Sequence, residues 1–269
     1  ANNEIGTIQP IAEIFKIVKN FRNRDIDISP VLGKPLARPG KFRNIQYAKF
    51  PILYTDACQA TEYLDMNVNH LGVDLLTFNG SKIYGPKGIG VLYKRRGVKL
   101  SPLLFGGEQE SGLRAGTENL SAIGGLAVAL DRIDKKDGKR LSGIRDYFIE
   151  NIIKLLPDAV INGGLEDERL PNNINISVPG LTSEVLLLEL DKYGMCAGSG
   201  SACTSHAVEP SHVLKAIGVK KKYLDGALRF SMGRQTTKKD IDHVLEVLPK
   251  AGKDLRKRYH KYVCLIFIS

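Results

Sequence analysis

The most constraining feature of this chain is a set of short apolar runs that do not alternate and that end in polar side chains. Pro51 to Asp56 reads Pro-Ile-Leu-Tyr-Thr-Asp, Val73 to Phe78 leads into Asn79-Gly80-Ser81-Lys82, and Gly90 to Tyr93 follows a Gly-Pro-Lys-Gly turn. A strand with one solvated face alternates with period two, whereas a strand buried on both faces reads as an unbroken apolar run. Runs of this kind, separated by helical or looped segments, predict an α/β protein with a mainly parallel sheet covered on both faces. In open sheets of that class ligands collect outside the carboxyl ends of the strands. Asp56 and Lys82 stand at two such ends.

Around these strands, Ile11, Ile14, Phe15, Val18 and Phe21 recur at helical spacing after Pro10, which suits a first turn. Residues 22–50 are polar, basic and broken by Pro30, Gly33, Pro35, Pro39 and Gly40, which reads as a long exposed loop. A helix is expected from Glu118 to about Lys136, with Ile123, Leu126, Leu130 and Ile133 on one stripe. A second is expected from Lys139 to Leu156, presenting Leu141, Ile144, Phe148, Ile152 and Leu155. Then the pattern changes. Asn173 to Val178 reads as a strand, Thr182 or Ser183 as the cap of a helix through Tyr193, and Met195 to Gly198 as a further strand. Short helices are expected at Pro210 to Ile217 and Lys238 to Leu248, and a strand around Arg229. Two consecutive helices followed by renewed alternation predict a second, smaller α+β domain: 1–130 as one domain, 131–255 as the other, and 256–269 as a basic, then apolar, tail.

Composition excludes several classes. With 43% apolar and 25% charged residues the chain is neither disordered nor fibrous. Four cysteines (Cys58, Cys196, Cys203, Cys264) in 269 residues are too few for a disulfide scaffold and fit a reducing cytosol. The longest apolar run, Tyr262 to Ile268, is far below the roughly 20 residues of a membrane helix. The formal charge is +10, and residues 220–261 hold 13 Lys or Arg against five acids. That segment has no interleaved aromatics and no nucleic-acid motif, so it reads as a solvated helical face or as the docking surface for an acidic protein. The start, Ala-Asn-Asn-Glu-Ile-Gly, carries no Met and runs almost at once into a helix, as expected of a fragment.

Several side chains can carry chemistry. An acid and an amine at adjacent strand ends make either a salt bridge or a pyridoxal phosphate site, in which Lys forms the Schiff base and Asp keeps the pyridine nitrogen protonated. Gly85-Pro86-Lys87-Gly88-Ile89-Gly90 lacks the spacing of a nucleotide-binding loop and reads as a tight turn into the next strand. In Gly198-Ser199-Gly200-Ser201-Ala202-Cys203-Thr204-Ser205 small residues surround one thiol. This reads as a surface loop or as a mobile segment presenting a reactive cysteine, its pKa lowered by His206 and the basic segment. Cys58 and Cys196, among larger apolar neighbours, read as structural. Cys203-x-x-His206 has no second ligand pair at finger spacing, which argues against zinc. Arg229, in Leu-Arg-Phe-Ser, is placed to clamp a carboxylate or to form a surface ion pair.

Taken together, Asn2-Asn3-Glu4-Ile5-Gly6, Asp56-Ala57-Cys58-Gln59, Ser81-Lys82-Ile83-Tyr84-Gly85-Pro86-Lys87-Gly88, Arg114-Ala115-Gly116-Thr117, Gly200-Ser201-Ala202-Cys203-Thr204-Ser205 and Arg229-Phe230-Ser231 resemble, in order, the motifs of cysteine desulfurases of the iron-sulfur-assembly type. These are fold-type I pyridoxal phosphate enzymes related to class V aminotransferases, and the resemblance runs to about residue 255. It implies Lys82 as the Schiff-base lysine, Asp56 as the partner of the pyridine nitrogen, and Gln59 and Asn3 as contacts of the ring hydroxyl. It implies Asn79, Gly80 and Ser81 around the phosphate, and Thr117 as the residue donated to the phosphate across a homodimer. Cys203 resembles the sulfur-accepting nucleophile and also a transient iron-sulfur ligand, and Arg229 the clamp on the substrate carboxylate. The implied reaction takes L-cysteine to L-alanine, leaving a persulfide on Cys203 for an acidic sulfur acceptor or iron-sulfur scaffold in the cytoplasm, or for tRNA thiolation.

The chain also departs from the family. Asn79-Gly80-Ser81 stands where many relatives have Ser-Gly-His, residues 28–48 look like an insertion, and the family's N-terminal part, with the His that stacks on the ring and a phosphate-binding Thr or equivalent, has no counterpart. A selenocysteine lyase, or an inactive fragment serving as a dimerisation or carrier-docking surface, are the alternative readings. Tyr262 to Ser269 reads as a short strand or a frameshift product.

Overall fold

The computed structural model describes residues 1–23, 51–200 and 210–266. The 28–48 segment, Cys203 and His206 lie outside them. The chain divides into two compact units, residues 10–133 and residues 1–9 with 134–269.

In the unit of residues 10–133, α1 (Ile11–Arg22) leads from Pro10 at its N-cap, and β1 (Tyr54–Asp56), α2 (Val68–Leu71), β2 (Leu75–Asn79), β3 (Gly90–Lys94) and α3 (Leu120–Asp131) follow. The three strands lie in the order β1-β2-β3. β1 runs parallel to β2, with Asp56 opposite Thr77, and β3 runs antiparallel to β2, with Gly90 opposite Asn79. The α/β class is as expected, but the tight turn through Gly88 (φ +80°) folds β3 straight back beside β2, so one of the two pairings is antiparallel. Among the described residues the sheet is not covered on both faces: Tyr54 and Leu92 are about half exposed. Val73, Leu76, Ala57 and Ala60 form the core on the other side.

Buried Asp74 organises this unit. Its carboxylate pairs with Arg22 at the end of α1, accepts the Leu53 N–H at 2.9 Å and lies 3.4 Å from Arg95. Arg22 also donates to the Pro51 carbonyl. One buried acid thus ties the last turn of α1 to the entry of β1.

Helix α3 differs in phase from the sequence expectation. Its buried stripe is Ala122, Leu126 and Ala129, while Ile123 and Leu130 are exposed. The small residues are inside because the helix approaches the loop after β2 closely: a Cβ on Gly125 would stand 2.5 Å from the Pro86 ring. The helix ends at Asp131, and Asp134 caps the next helix by accepting the Lys136 N–H at 2.8 Å, which separates two segments expected to run to Lys136 and to start at Lys139.

The other unit comprises α4 (Lys135–Leu155), β4 (Val160–Ile161), β5 (Asn173–Ser177), α5 (Ser183–Asp191), α6 (His212–Ala216), α7 (Lys221–Leu224), β6 (Ala227–Ser231) and α8 (Lys238–Ile266). Its antiparallel sheet runs β4-β5-β6, and every residue of β5 is buried. Phe148 of α4, fully buried, meets Phe230 of β6 edge to face at 5.4 Å. The expected strand at Met195 to Gly198 reduces to a single bridge between Gly198 and Arg229, because β6 pairs with that segment through one residue only. Helix α8 continues through Pro249 and its backbone stays helical to Ile266, well past Leu248 and into the segment read as a strand or frameshift.

Residues 1–9, read from sequence as part of the first domain, pack in this unit. The Asn173 and Asn175 amides donate to the Glu4 carbonyl, Thr7 bridges Arg169, and the Leu170 N–H donates to Gly6. The attachment is mostly backbone pairing, which side-chain periodicity does not reveal.

Candidate active site

Since β1 and β2 are parallel and in register, their carboxyl ends coincide. Asp56 ends β1 in an exposed position. The chain then turns through Ala57–Leu64, with Ala60 and Thr61 N–H groups on the Ala57 carbonyl, which carries Gln59 one turn beyond Asp56. Asn79 ends β2, and a single 3-10 turn, Gly80–Lys82, follows. The turn is tightly held. Gly80 donates its N–H to the Ile89 carbonyl at 3.0 Å, Ile83 and Gly85 donate to the Gly80 carbonyl at 3.1 and 2.8 Å, and Ile83 is fully buried. A Cβ on Gly80 would lie 2.9 Å from both Ile89 Cγ2 and the Pro86 carbonyl. Buried Ile83 therefore anchors the turn while Lys82, beside it, remains in solvent. Tyr84 holds φ +64°, a conformation rare for a non-glycine residue.

The donors at this sheet end form a small network. The Ser81 hydroxyl donates to Asn79 Oδ1 at 3.1 Å, Asn79 Nδ2 donates to Cys58 Sγ at 3.5 Å, and the Cys58 N–H donates to Asp56 Oδ1 at 2.9 Å. Burial pushes the Cys58 thiol up to about 11, helped by the neighbouring Asp56 carboxylate; Asn79 and the Lys82 ammonium pull the other way. Among the described residues, neither Asp56 nor Lys82 forms an ion pair. The salt-bridge alternative for these two side chains thus has no contact to support it.

This donor set fits pyridoxal phosphate. The acid and the amine share one edge of the sheet without neutralising each other, and Asn79 keeps a second amide hydrogen for a phosphate oxygen. The Gly80 N–H, by contrast, is already committed to Ile89. Thr117 is exposed in the segment before α3, where Glu110 (φ 50°), Ser111 (φ 57°) and Gly116 (φ 103°) all take left-handed conformations.

In the unit of residues 1–9 and 134–269, Arg229 of β6 exchanges two backbone hydrogen bonds with Gly198, at 2.9 and 2.6 Å. Its Nη1 donates to the Asn3 carbonyl at 3.4 Å, and its buried Nε has no partner among the described residues. An unpaired guanidinium nitrogen is the kind of group a substrate carboxylate satisfies. Asn2 folds the N-terminal segment by accepting the Glu4 and Ile5 N–H groups. Cys196 is exposed, contrary to its structural reading, because its chain segment lies outside the sheet.

Two residues escaped the sequence reading. Glu4 is buried and accepts the Ser211 hydroxyl at 2.5 Å, while the Ser211 oxygen also caps α6 at the Val213 N–H. Cys58, read as structural, bridges Asp56 and Asn79. Both lie inside quoted motifs, but their partners are distant in sequence.

Residues 41–244 match the family described as aminotransferase class-V. The chain belongs to that family. Its members are pyridoxal phosphate enzymes. The chain is 42% identical over 260 residues to "Cysteine desulfurase IscS" of Dictyoglomus turgidum, covering 95% of this chain and 58% of the relative. It is also 42% identical over 259 residues to a cysteine desulfurase of Nostoc sp., with the same coverage. Among solved structures, a "NifS-like protein" superposes with a TM-score of 0.73 at 29% identity, over 93% of this chain and 58% of that one. The NifS-like protein of Rickettsia africae gives 0.72 at 27%. The fold is therefore that of fold-type I pyridoxal phosphate enzymes. The chain spans somewhat under three-fifths of the length of these relatives.

Proposed function

We propose that this polypeptide serves a pyridoxal phosphate-dependent cysteine desulfurase, converting L-cysteine to L-alanine and leaving the sulfur as a persulfide on Cys203. The observation that carries the reading is the shared sheet end, where Asp56, Asn79 and Lys82 converge with no ion pair between the acid and the amine. When bound, pyridoxal phosphate supplies an electron sink for bond changes at the substrate Cα. Lys82 Nζ would take and return the Cα proton, and the residues that would hold the group are Asp56 at the pyridine nitrogen, Gln59 and Asn3 at the ring hydroxyl, and Asn79 and Ser81 at the phosphate. Arg229 orients the substrate carboxylate. The Cys203 thiolate attacks the substrate sulfur; the new S–S bond forms as the Cβ–S bond breaks, and the carbon fragment leaves as alanine after protonation.

Two surfaces support the proposed partners. Leu103, Phe105 and Leu120 are 90, 82 and 76% exposed on either side of Thr117, which suits burial of this segment against a second copy in a homodimer. In the other unit a groove of about 800 Å3 is lined by Leu155, Leu156 and Pro157 together with Lys250, Lys253 and Lys257. Apolar walls under a basic rim suit an acidic sulfur acceptor or iron-sulfur scaffold. Among the described residues no helix is long and apolar enough to cross a membrane; a cytoplasmic location is part of this proposal.

Borohydride reduction of the chain mixed with pyridoxal phosphate, followed by peptide mapping, tests the cofactor site. A pyridoxyl group on Lys82 is expected, and labelling spread over surface lysines would overturn the reading. Supplied with L-cysteine, the enzyme should form alanine and a persulfide that Cys203→Ser abolishes. Faster turnover of selenocysteine would instead make it a selenocysteine lyase.

A further inference from the structure

The Cys58 thiol is unused by the proposed reaction, yet it sits at the centre of the sheet end. Its N–H donates to Asp56 Oδ1 at 2.9 Å, and its sulfur accepts Asn79 Nδ2 at 3.5 Å. Asn79 is held on its other side by Ser81, which immediately precedes Lys82. A single residue thus connects the end of β1 to the turn after β2.

We propose that Cys58 is a positioning residue of the cofactor site, holding the Asp56 carboxylate through its backbone N–H and the Asn79–Lys82 turn through its sulfur. The proposal rests on the reading of Asp56 as the partner of the pyridine nitrogen. Two consequences follow from the geometry. Asp56 loses rotational freedom, since the Cys58 N–H holds its carboxylate, so the acid is preorganised before any ligand arrives. The thiol is also kept out of sulfur chemistry, because a thiolate is the nucleophile and the adjacent carboxylate opposes its formation. A second cysteine beside the cofactor therefore does not compete with Cys203. Asn79-Gly80-Ser81, which departs from the family's usual Ser-Gly-His, supplies the amide and hydroxyl that complete the lock.

The test uses the full chain with Cys196, Cys203 and Cys264 changed to Ser, so that iodoacetamide reports on Cys58 alone. With the thiol near 11 against an ordinary 9.0, alkylation at pH 8 should be about 100-fold slower than in the same chain unfolded in urea. Asp56→Asn should accelerate it about tenfold and move the pH profile down by about one unit, burial still opposing the thiolate. Asn79→Ala, which removes the donor to sulfur, should slow it further, and loss of structure cannot produce these two opposite signs. The cofactor arm measures pyridoxal phosphate affinity by absorbance: Cys58→Ala should weaken it about tenfold and Cys58→Ser should restore it to within about threefold. An ordinary alkylation rate in the parent, indifference to Asp56→Asn, or unchanged cofactor affinity in Cys58→Ala overturns the proposal while leaving the desulfurase reading intact. Failure of the parent to take a pyridoxyl label on Lys82 defeats that reading and the positioning role with it, and the alkylation arm still decides whether the lock exists.

Discussion

Strands β1 and β5 show how differently the two units are held together. Every residue of β5 is buried, between α4 with Phe148 on one side and the Glu4 and Asn162 polar contacts on the other. β1 is three residues long and exposes Tyr54 and Asp56, and buried Asp74 adds ion pairs to the apolar core of its unit. A sealed core stabilises through area and close packing, so its residues are interchangeable only at constant volume. An open sheet end leaves functional groups accessible and must be stiffened by a few buried polar anchors. The proposed cofactor chemistry is carried on the open sheet, where an acid and an amine can stay solvated until a ligand uses them.

This contrast can be broken by experiment, beginning with the largest effect. Lys82→Ala should abolish the pyridoxyl label and turnover by at least about a thousandfold, while urea unfolding moves by less than about 0.5 kcal/mol, because the side chain is exposed. A large stability loss would mean that the turn depends on Lys82 itself. Phe148→Ala, which empties the sealed core beside Phe230, should cost about 3–5 kcal/mol. Asp74→Ala, read by urea titration with hydrogen exchange of each unit, should cost about 3 kcal/mol or more and loosen residues 10–133 selectively, since Arg22 is left buried without a counterion. Equal loosening of both units would erase the distinction drawn between them.

The smallest effect concerns pH. The Cys58 proton is held more tightly in the folded chain than in the unfolded one, so its contribution to stability is complete below pH 9 and is lost as the pH rises from 9 through about 11. Cys58→Ser should flatten that alkaline decline in residues 10–133 and leave the other unit's profile unchanged. An identical slope in both proteins would sink the assignment.

Much of this was legible in the sequence. Apolar runs ending in Asp56 and Asn79-Gly80-Ser81-Lys82 located β1, β2 and the candidate groups, because strand ends are where a sheet exposes chemistry, although the burial on both faces that the missing alternation implied is not found. Helix α4 was also legible, from its repeating Leu141, Phe148 and Ile152. Other features were not. The phase of α3 was missed because alanines flank Leu126 in its interior and Gly125 makes the close approach, which a search for large apolar residues overlooks. The attachment of residues 1–9 was missed because it runs through backbone carbonyls.

The sequence by itself determined the class of the fold, the family and the candidate acid, amine and guanidinium, since those depend on residue types at short spacing. Only the tertiary structure decided that the acid and amine stand at one sheet end without an ion pair between them, that Glu4 meets Ser211, and that Cys58 bridges Asp56 and Asn79. The physical reason is range. Periodicity and turn chemistry act over a few residues, whereas a hydrogen bond between side chains 21 or 207 residues apart exists only once packing has brought two strands or a terminus and a helix cap together.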